Sequence, residues 1–215
     1  MEIYLISGLC LIIAAIIVYH FVHKQKKTGT RAAELAETAQ AIRFSYSTTE
    51  PSTTHKILKG IPRLGLASSL AIKNILRGNQ HNHTLLIFDT TLGTTAISFI
   101  LSKTRKSLPS FILRPQTVHT KDILRIPPDF KPVHIQSSPA FNKNYALLAP
   151  EPSQIHVLFD QGIIRFFAEH KNWHIDAHQN LILISTPNET GGWLLPAATL
   201  EKTLHETLAV IERFA

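Results

Sequence analysis

The chain has a single cysteine, Cys10. One thiol excludes an internal disulfide and a zinc site built on cysteines, and it fits a reducing compartment. A G-x-S-x-G elbow is absent, so the usual strand–turn–helix device for presenting a nucleophilic serine is missing. There is no phosphate-cradling glycine loop either. Gly191-Gly192 lacks the strand–GxxxxGK–helix setting, which argues against a nucleotide enzyme. Carboxylates are scarce in the middle of the chain, where residues 56–143 hold only Asp89, Asp122 and Asp129. Paired carboxylates for acid–base work are therefore poorly supported.

What is present begins with an uncharged run. Ile3 to Val22, IYLISGLCLIIAAIIVYHFV, contains no Asp, Glu, Lys or Arg. It has the length of a helix that crosses a hydrocarbon core of about 30 Å. Tyr4 and Tyr19 stand near its ends, and Lys24, Lys26 and Lys27 follow directly. By the positive-inside rule, the N-terminus is expected outside and the rest of the chain in the cytoplasm of a bacterial inner membrane, as a single-pass protein. A cleaved signal peptide would need a basic start and a small-residue cleavage site, and the chain starts with Met1-Glu2. The expected divisions are an anchor over 1–23, a juxtamembrane stalk with a short helix over 24–54, and an α+β domain over 55–215.

Charge is uneven. Residues 56–143 hold thirteen Lys/Arg against three Asp/Glu, and residues 144–215 hold four against eight. A basic middle suggests an anionic lipid surface or nucleic acid as partner. It also fits a solvated face, or two segments whose charges face each other.

The pattern then predicts elements. Leu35, Ala39 and Ile42 share a helical face over 30–44, and a short helix follows over HKILKG before Pro62. Strands are expected over 69–77, 84–89, 96–101 and 110–113, as an antiparallel meander. Gly78-Asn79 and QHNH form the first turn, and the basic SKTRKSLP forms a loop. A short strand is expected at 133–136 and another at 146–148. One long amphipathic helix from Pro152 carries Ile155, Leu158, Phe159, Ile163, Phe166 and Phe167. Trp173–Ala177 and Leu181–Ser185 read as a hairpin turning at His178-Gln179-Asn180. A last helix from Pro196 buries Leu200, Leu204, Leu208 and Ile211.

Few residues carry candidate chemistry. His170, His174 and His178 are spaced by four with Asp176 between, a metal set if helical. The alternation of Trp173-His-Ile-Asp-Ala instead suggests a strand with His174, Asp176 and His178 on a solvated face. His81 and His83 fall in a polar turn. Asp89 ends an apolar strand and is expected to be held by Arg77 or another basic neighbour. No catalytic residue, cofactor or metal site is assigned. The residues assigned to contact a membrane surface are Lys24, Lys26, Lys27, Lys103, Arg105 and Lys106.

The order of short motifs is similar to a family of uncharacterised bacterial membrane-anchored proteins. The motifs are Asn74-Ile-Leu-Arg-Gly78, Leu86-Ile-Phe-Asp89, Leu108-Pro-Ser-Phe-Ile-Leu-Arg-Pro115, Pro139-Ala-Phe141 with Tyr145, and Trp173 to Asp176. Thr90 departs from the aromatic that the family carries after Phe-Asp. The resemblance implies one anchor and a compact α+β domain, and implies no activity. Its residues also have folding explanations: Gly78 for a turn of positive φ, Pro109 and Pro115 around an edge strand, Phe111 and Phe141 in the core.

The expectation is thus an α+β domain of antiparallel strands packed with two amphipathic helices behind a transmembrane helix. It would be an accessory or scaffold protein whose partners are the lipid bilayer and a membrane protein. The alternatives are a tethered hydrolase using Asp89 or the His174–His178 group, and a nucleic-acid binder using the basic segment 56–143.

Overall fold

The computed structural model describes residues 29–49, 52–67, 70–116 and 126–214. No helix among these residues is long and apolar enough to cross a membrane. The expected transmembrane helix and single-pass inner-membrane placement are therefore corrected: the structure does not support them, and the described residues form an α+β domain. The run Ile3–Val22 on which that expectation rested lies outside the described residues, as do Lys24, Lys26 and Lys27.

Helix α1 covers residues 29–41 and leads into β1 (Ser45–Ser47). Two short helices follow, α2 (Ser52–Lys59) and α3 (Pro62–Gly65). Strands β2 (Lys73–Gln80), β3 (His83–Leu92) and β4 (Thr95–Pro115) form an antiparallel meander, in which the strands expected at 96–101 and 110–113 are one. Then come β5 (Lys131–Val133), α4 (Pro139–Asn144) and β6 (Tyr145–Ala149). Helices α5 (Pro152–Leu158) and α6 (Gln161–Glu169) precede β7 (His174–Ser185). A 3-10 turn over Ala197–Thr199 opens the last helix, α7 (Leu200–Glu212). The region 24–54 is not a stalk throughout, because Leu35, Ala39 and Phe44 belong to the main core.

All seven strands join one antiparallel sheet in the order β1-β2-β3-β4-β6-β5, with β7 paired to β4. β4 is long enough to take β3 along its first half and β6 along its second half. β7 runs along the opposite edge and spans both halves. Ile100 to Ser102 pair with β3 and β7 at once, and Ile112 and Leu113 pair with β6 and β7 at once. Two wings of sheet therefore share one central pair of strands.

The register of that pair shifts between Lys103 and Leu108 and again between Leu108 and Phe111. The side-chain alternation slips with it. Ile100 faces the main core in the first half of β4, and Phe111 and Leu113 face it in the second half. In β7, Ile175 and Ala177 face that core before the shift, and Ile182 and Ile184 after it. A bulge adds one residue and so reverses which parity points inward. The expected basic loop is this bulge, and the expected hairpin turn at 178–180 is its counterpart in β7, where Gln179 has φ 53°. Pro109, which cannot donate to a ladder, sits in the irregular stretch of a central strand and not beside an edge strand.

Two more expectations change. The long helix from Pro152 is two helices, because the Asp160 side chain accepts from Ile163 N–H at 2.8 Å and starts a new helix there. Its apolar stripe is nevertheless buried, with Ile155, Phe159 and Phe167 at 0–2% exposure. Gly78 lies inside β2 and not at a turn; His81 and Asn82 carry the positive φ of the turn. Glycine is needed at 78 because a Cβ there would collide with the Phe44 ring.

The sheet divides two cores. On one side α1, α5, α6 and α7 cover Phe111, Phe141, Tyr145, Ile182 and Ile184. On the other, α2 and α3 insert Leu58, Ile61 and Leu64 against Phe88, Phe99 and Leu183. Each of these three side chains is fully buried, worth about 1.5–3 kcal/mol relative to exposure. Replacing Gly78 by Ala should push the Phe44 ring out of place. Urea unfolding should show a loss of about 1–3 kcal/mol, the usual cost of overpacking.

Candidate functional site

Two buried polar clusters and one exposed basic stretch contain Asp89, His174, Asp176, Lys103, Arg105 and Lys106 of the residues singled out by sequence. The first cluster is centred on Asp89. Its carboxylate takes a two-pronged contact from Arg31 of α1, with Nε at 2.8 Å and Nη2 at 2.9 Å. Ser98 Oγ donates to it at 2.6 Å and Asn74 Nδ2 at 2.8 Å. The network extends outward. Tyr46 OH donates to Asn74 Oδ1, Arg31 Nη1 donates to the Leu195 carbonyl, and Leu195 N–H donates to Ser98 Oγ. The partner of Asp89 is therefore Arg31 and not Arg77, which donates instead to Thr54 Oγ1 of α2 at 3.0 Å.

The planar fork of arginine matches a carboxylate in a way lysine cannot. Asp89 thus ties α1, β2, β3, β4 and the 195 segment together. An open groove of about 860 Å³ runs beside Arg31, lined also by Glu34, Glu37, Leu194 and Pro196. Arg31 stands between this groove and Asp89, whose side chain is 11% exposed.

The second cluster lies under α3. Arg63 Nη2 is 2.5 Å from Asp176 Oδ2, with both side chains 2% exposed. The Arg63 guanidinium also lies over the Phe99 ring, 5.3 Å from its centroid. His174 Nε2 is 4.0 Å from Asp176 Oδ2, too far for a hydrogen bond, and its ring meets Trp193 edge-on. The expected solvated face of His174 and Asp176 is therefore a buried one, roofed by α3. Burial pushes the Asp176 carboxyl up to about 6, against the pull of Arg63. Burial also drives the His174 imidazole well below its ordinary value, with Arg63 and Arg114 adding to the effect. His174 is thus neutral near pH 7.

The histidines of the suspected metal set are not brought together. His178 Nδ1 meets Ser110 Oγ at 2.8 Å, and His170 stacks on Phe166 with its Nδ1 2.8 Å from the Phe166 carbonyl. Among the described residues no group of three His, Cys, Asp or Glu could hold a metal ion. His81, at the β2–β3 turn, meets only the edge of the His205 ring among the aromatic contacts of the described residues.

No family model matches the chain, and no curated protein matches it. One solved structure is similar in fold. It is the crystal structure of the mycobacterial trehalose monomycolate transport factor A, TtfA. The TM-score is 0.59 over 85% of this chain and 91% of that one, at 13% sequence identity. At that identity the likeness is one of architecture, and no side-chain role passes between the two chains.

Lys103, Arg105 and Lys106 are all exposed on the bulge of β4. Thr104 Oγ1 holds the bulge by donating to the Lys106 carbonyl at 2.7 Å. Sequence reasoning missed Arg31, Asn74 and Ser98, whose meeting depends on three separate elements. Arg63 left a signal: it is a lone cation in the apolar run Ile61-Pro-Arg-Leu-Gly-Leu66.

Two expectations follow. Arg31→Ala leaves the Asp89 carboxylate with Ser98 and Asn74 only. Chemical denaturation should register a loss of about 2–4 kcal/mol, near the range for breaking a largely buried pair, with little recovery in Arg31→Lys. Stability should also carry two opposed pH terms. Folded Asp176 binds a proton below about 6 that the unfolded chain, near 3.8, does not, so its term strengthens folding as pH falls through about 6. Unfolded His174 takes a proton below 6.5 that the folded ring refuses, so its term weakens folding over the same fall. Asp176→Asn should therefore lose stability more steeply than the parent between about pH 7 and 5, as read by urea unfolding at stepped pH.

Proposed function

We propose that this chain is an accessory or scaffold protein, one that works by contact and not by turnover. The observation that carries the reading is the state of Asp89. Both oxygens are engaged, by an arginine fork, a serine hydroxyl and an asparagine amide. A carboxylate held this way is a structural tie, with no free lone pair directed at a substrate.

The second constellation that a hydrolase would use points the same way. His174 and Asp176 are sealed at 0% and 2% exposure beneath α3, and His178 faces Ser110 instead. A general base must reach the proton it abstracts, and these side chains lie behind packed helix. An accessory role is also compatible with the architectural likeness to a protein named as a transport factor.

The test is a gentle-detergent pull-down with the whole chain, paired with hydrolysis assays on ester, phosphoester and peptide substrates. The same partner should be captured by the parent, Asp89→Asn and His178→Ala chains, with hydrolysis at the buffer rate throughout. Turnover that Asp89→Asn or His178→Ala abolishes, in a chain that still folds, would overturn the proposal.

A further inference from the structure

We infer that the face formed by α2 and α3 docks on an anionic lipid surface. The inference rests on the accessory reading and names the surface through which such a protein acts. α2 turns Thr54 and Leu58 toward the sheet and leaves Lys56, Ile57 and Lys59 exposed. Ile57 is 40% exposed, and Leu66, at the end of α3, is 38% exposed. These are two of the three exposed large hydrophobics among the described residues, and both belong to this small layer.

The sheet beneath adds charge of the same sign. Lys103 pairs with Leu181, and Leu181 and Leu101 belong to the core under α2 and α3, so Lys103 emerges on that side. No Asp or Glu occurs in residues 51–88 or 90–121. The one carboxylate between them, Asp89, is paired with Arg31 within the Ser98–Asn74 network. The helices of the opposite side carry the acids instead: Glu34, Glu37, Glu169, Glu201, Glu206 and Glu212. Those helices also carry Arg31, Arg165 and Lys202. Asp176 beneath α3 is buried against Arg63. The α2–α3 layer thus differs from them in presenting cations without an exposed acid of its own.

Lysines around protruding aliphatic tips suit a bilayer interface. The tips enter the headgroup boundary while the ammonium groups meet anionic headgroups. Single-stranded nucleic acid would instead call for aromatic platforms on which bases stack. Among the described residues the exposed large hydrophobics are Ile57, Leu66 and Val157, none of them aromatic.

Amide hydrogen exchange on the full chain tests this, with vesicles of phosphatidylcholine alone and of phosphatidylcholine mixed with phosphatidylserine. Residues 54–66 should exchange more slowly on the mixed vesicles only. The effect should fade at about 0.5 M salt, where screening is short-ranged. Lys56→Gln/Lys59→Gln should weaken the protected state roughly fivefold per charge. Comparing that variant with the parent on the same vesicles cancels any contribution of Ile3–Val22. Unchanged exchange in β3 and β4 shows that the variant is folded. Equal protection on neutral vesicles would overturn the inference, as would full protection retained in the double variant. So would protection of 54–66 by DNA or polyglutamate with none from vesicles. The accessory reading survives each of these results and fails only on turnover.

Discussion

The shared ladder of β4 and β7 is the constraint on which the rest depends. A 21-residue strand is too long to serve one flat sheet, because strands twist and the accumulated rotation carries its ends apart. Here the ladder is interrupted by paired irregularities near the middle, at 103–111 in β4 and 178–180 in β7, and bulges of this kind bend a strand and sharpen its local twist. Each half then makes its own neighbours, β3 on one side of the bulge and β6 on the other. Both cores exist because the same two strands present apolar side chains to both faces on either side of that slip.

Polar residues inside the fold act as joints between elements that hydrophobic packing alone would leave free to slide. Asp89 fixes the entry helix to the sheet through Arg31, and Ser98 passes the same restraint to Leu195 and so to the start of α7. Asp176 does the corresponding work for α3 through Arg63. The two joints differ in cost. Asp89 has four hydrogen bonds from three side chains, which offset most of its desolvation. Asp176 and His174 are buried with thinner compensation, and their shifted titration reflects it.

The small layer of α2 and α3 is braced by the Asp176 joint and by Arg77. It is held by Leu58, Ile61 and Leu64, by Arg63 paired with Asp176 and lying over Phe99, and by the hydrogen bond from Arg77 to Thr54, and it carries lysines and aliphatic tips outward. A thin, basic, partly apolar cover over a sheet suits contact, because the sheet fixes its geometry.

Residue pattern alone determined the class of the domain. Antiparallel strands from Lys73 to Leu101, the buried stripes of Ile155 to Phe167 and Leu200 to Ile211, and the helix through Leu35 and Ala39 all follow from local period and turn chemistry. These signals are local, so a linear reading captures them. Polar residues in the middle of a strand defeated it: SKTRKSLP and His-Gln-Asn resemble turns by composition, and only cross-strand pairing shows them to be facing bulges. Gly78 likewise owes its identity to a ring from residue 44, and Asp89 to a guanidinium from residue 31. Such contacts join residues far apart in the chain. Neither period nor propensity encodes them, so tertiary packing alone decided which polar side chains would be buried and which cations would share a face.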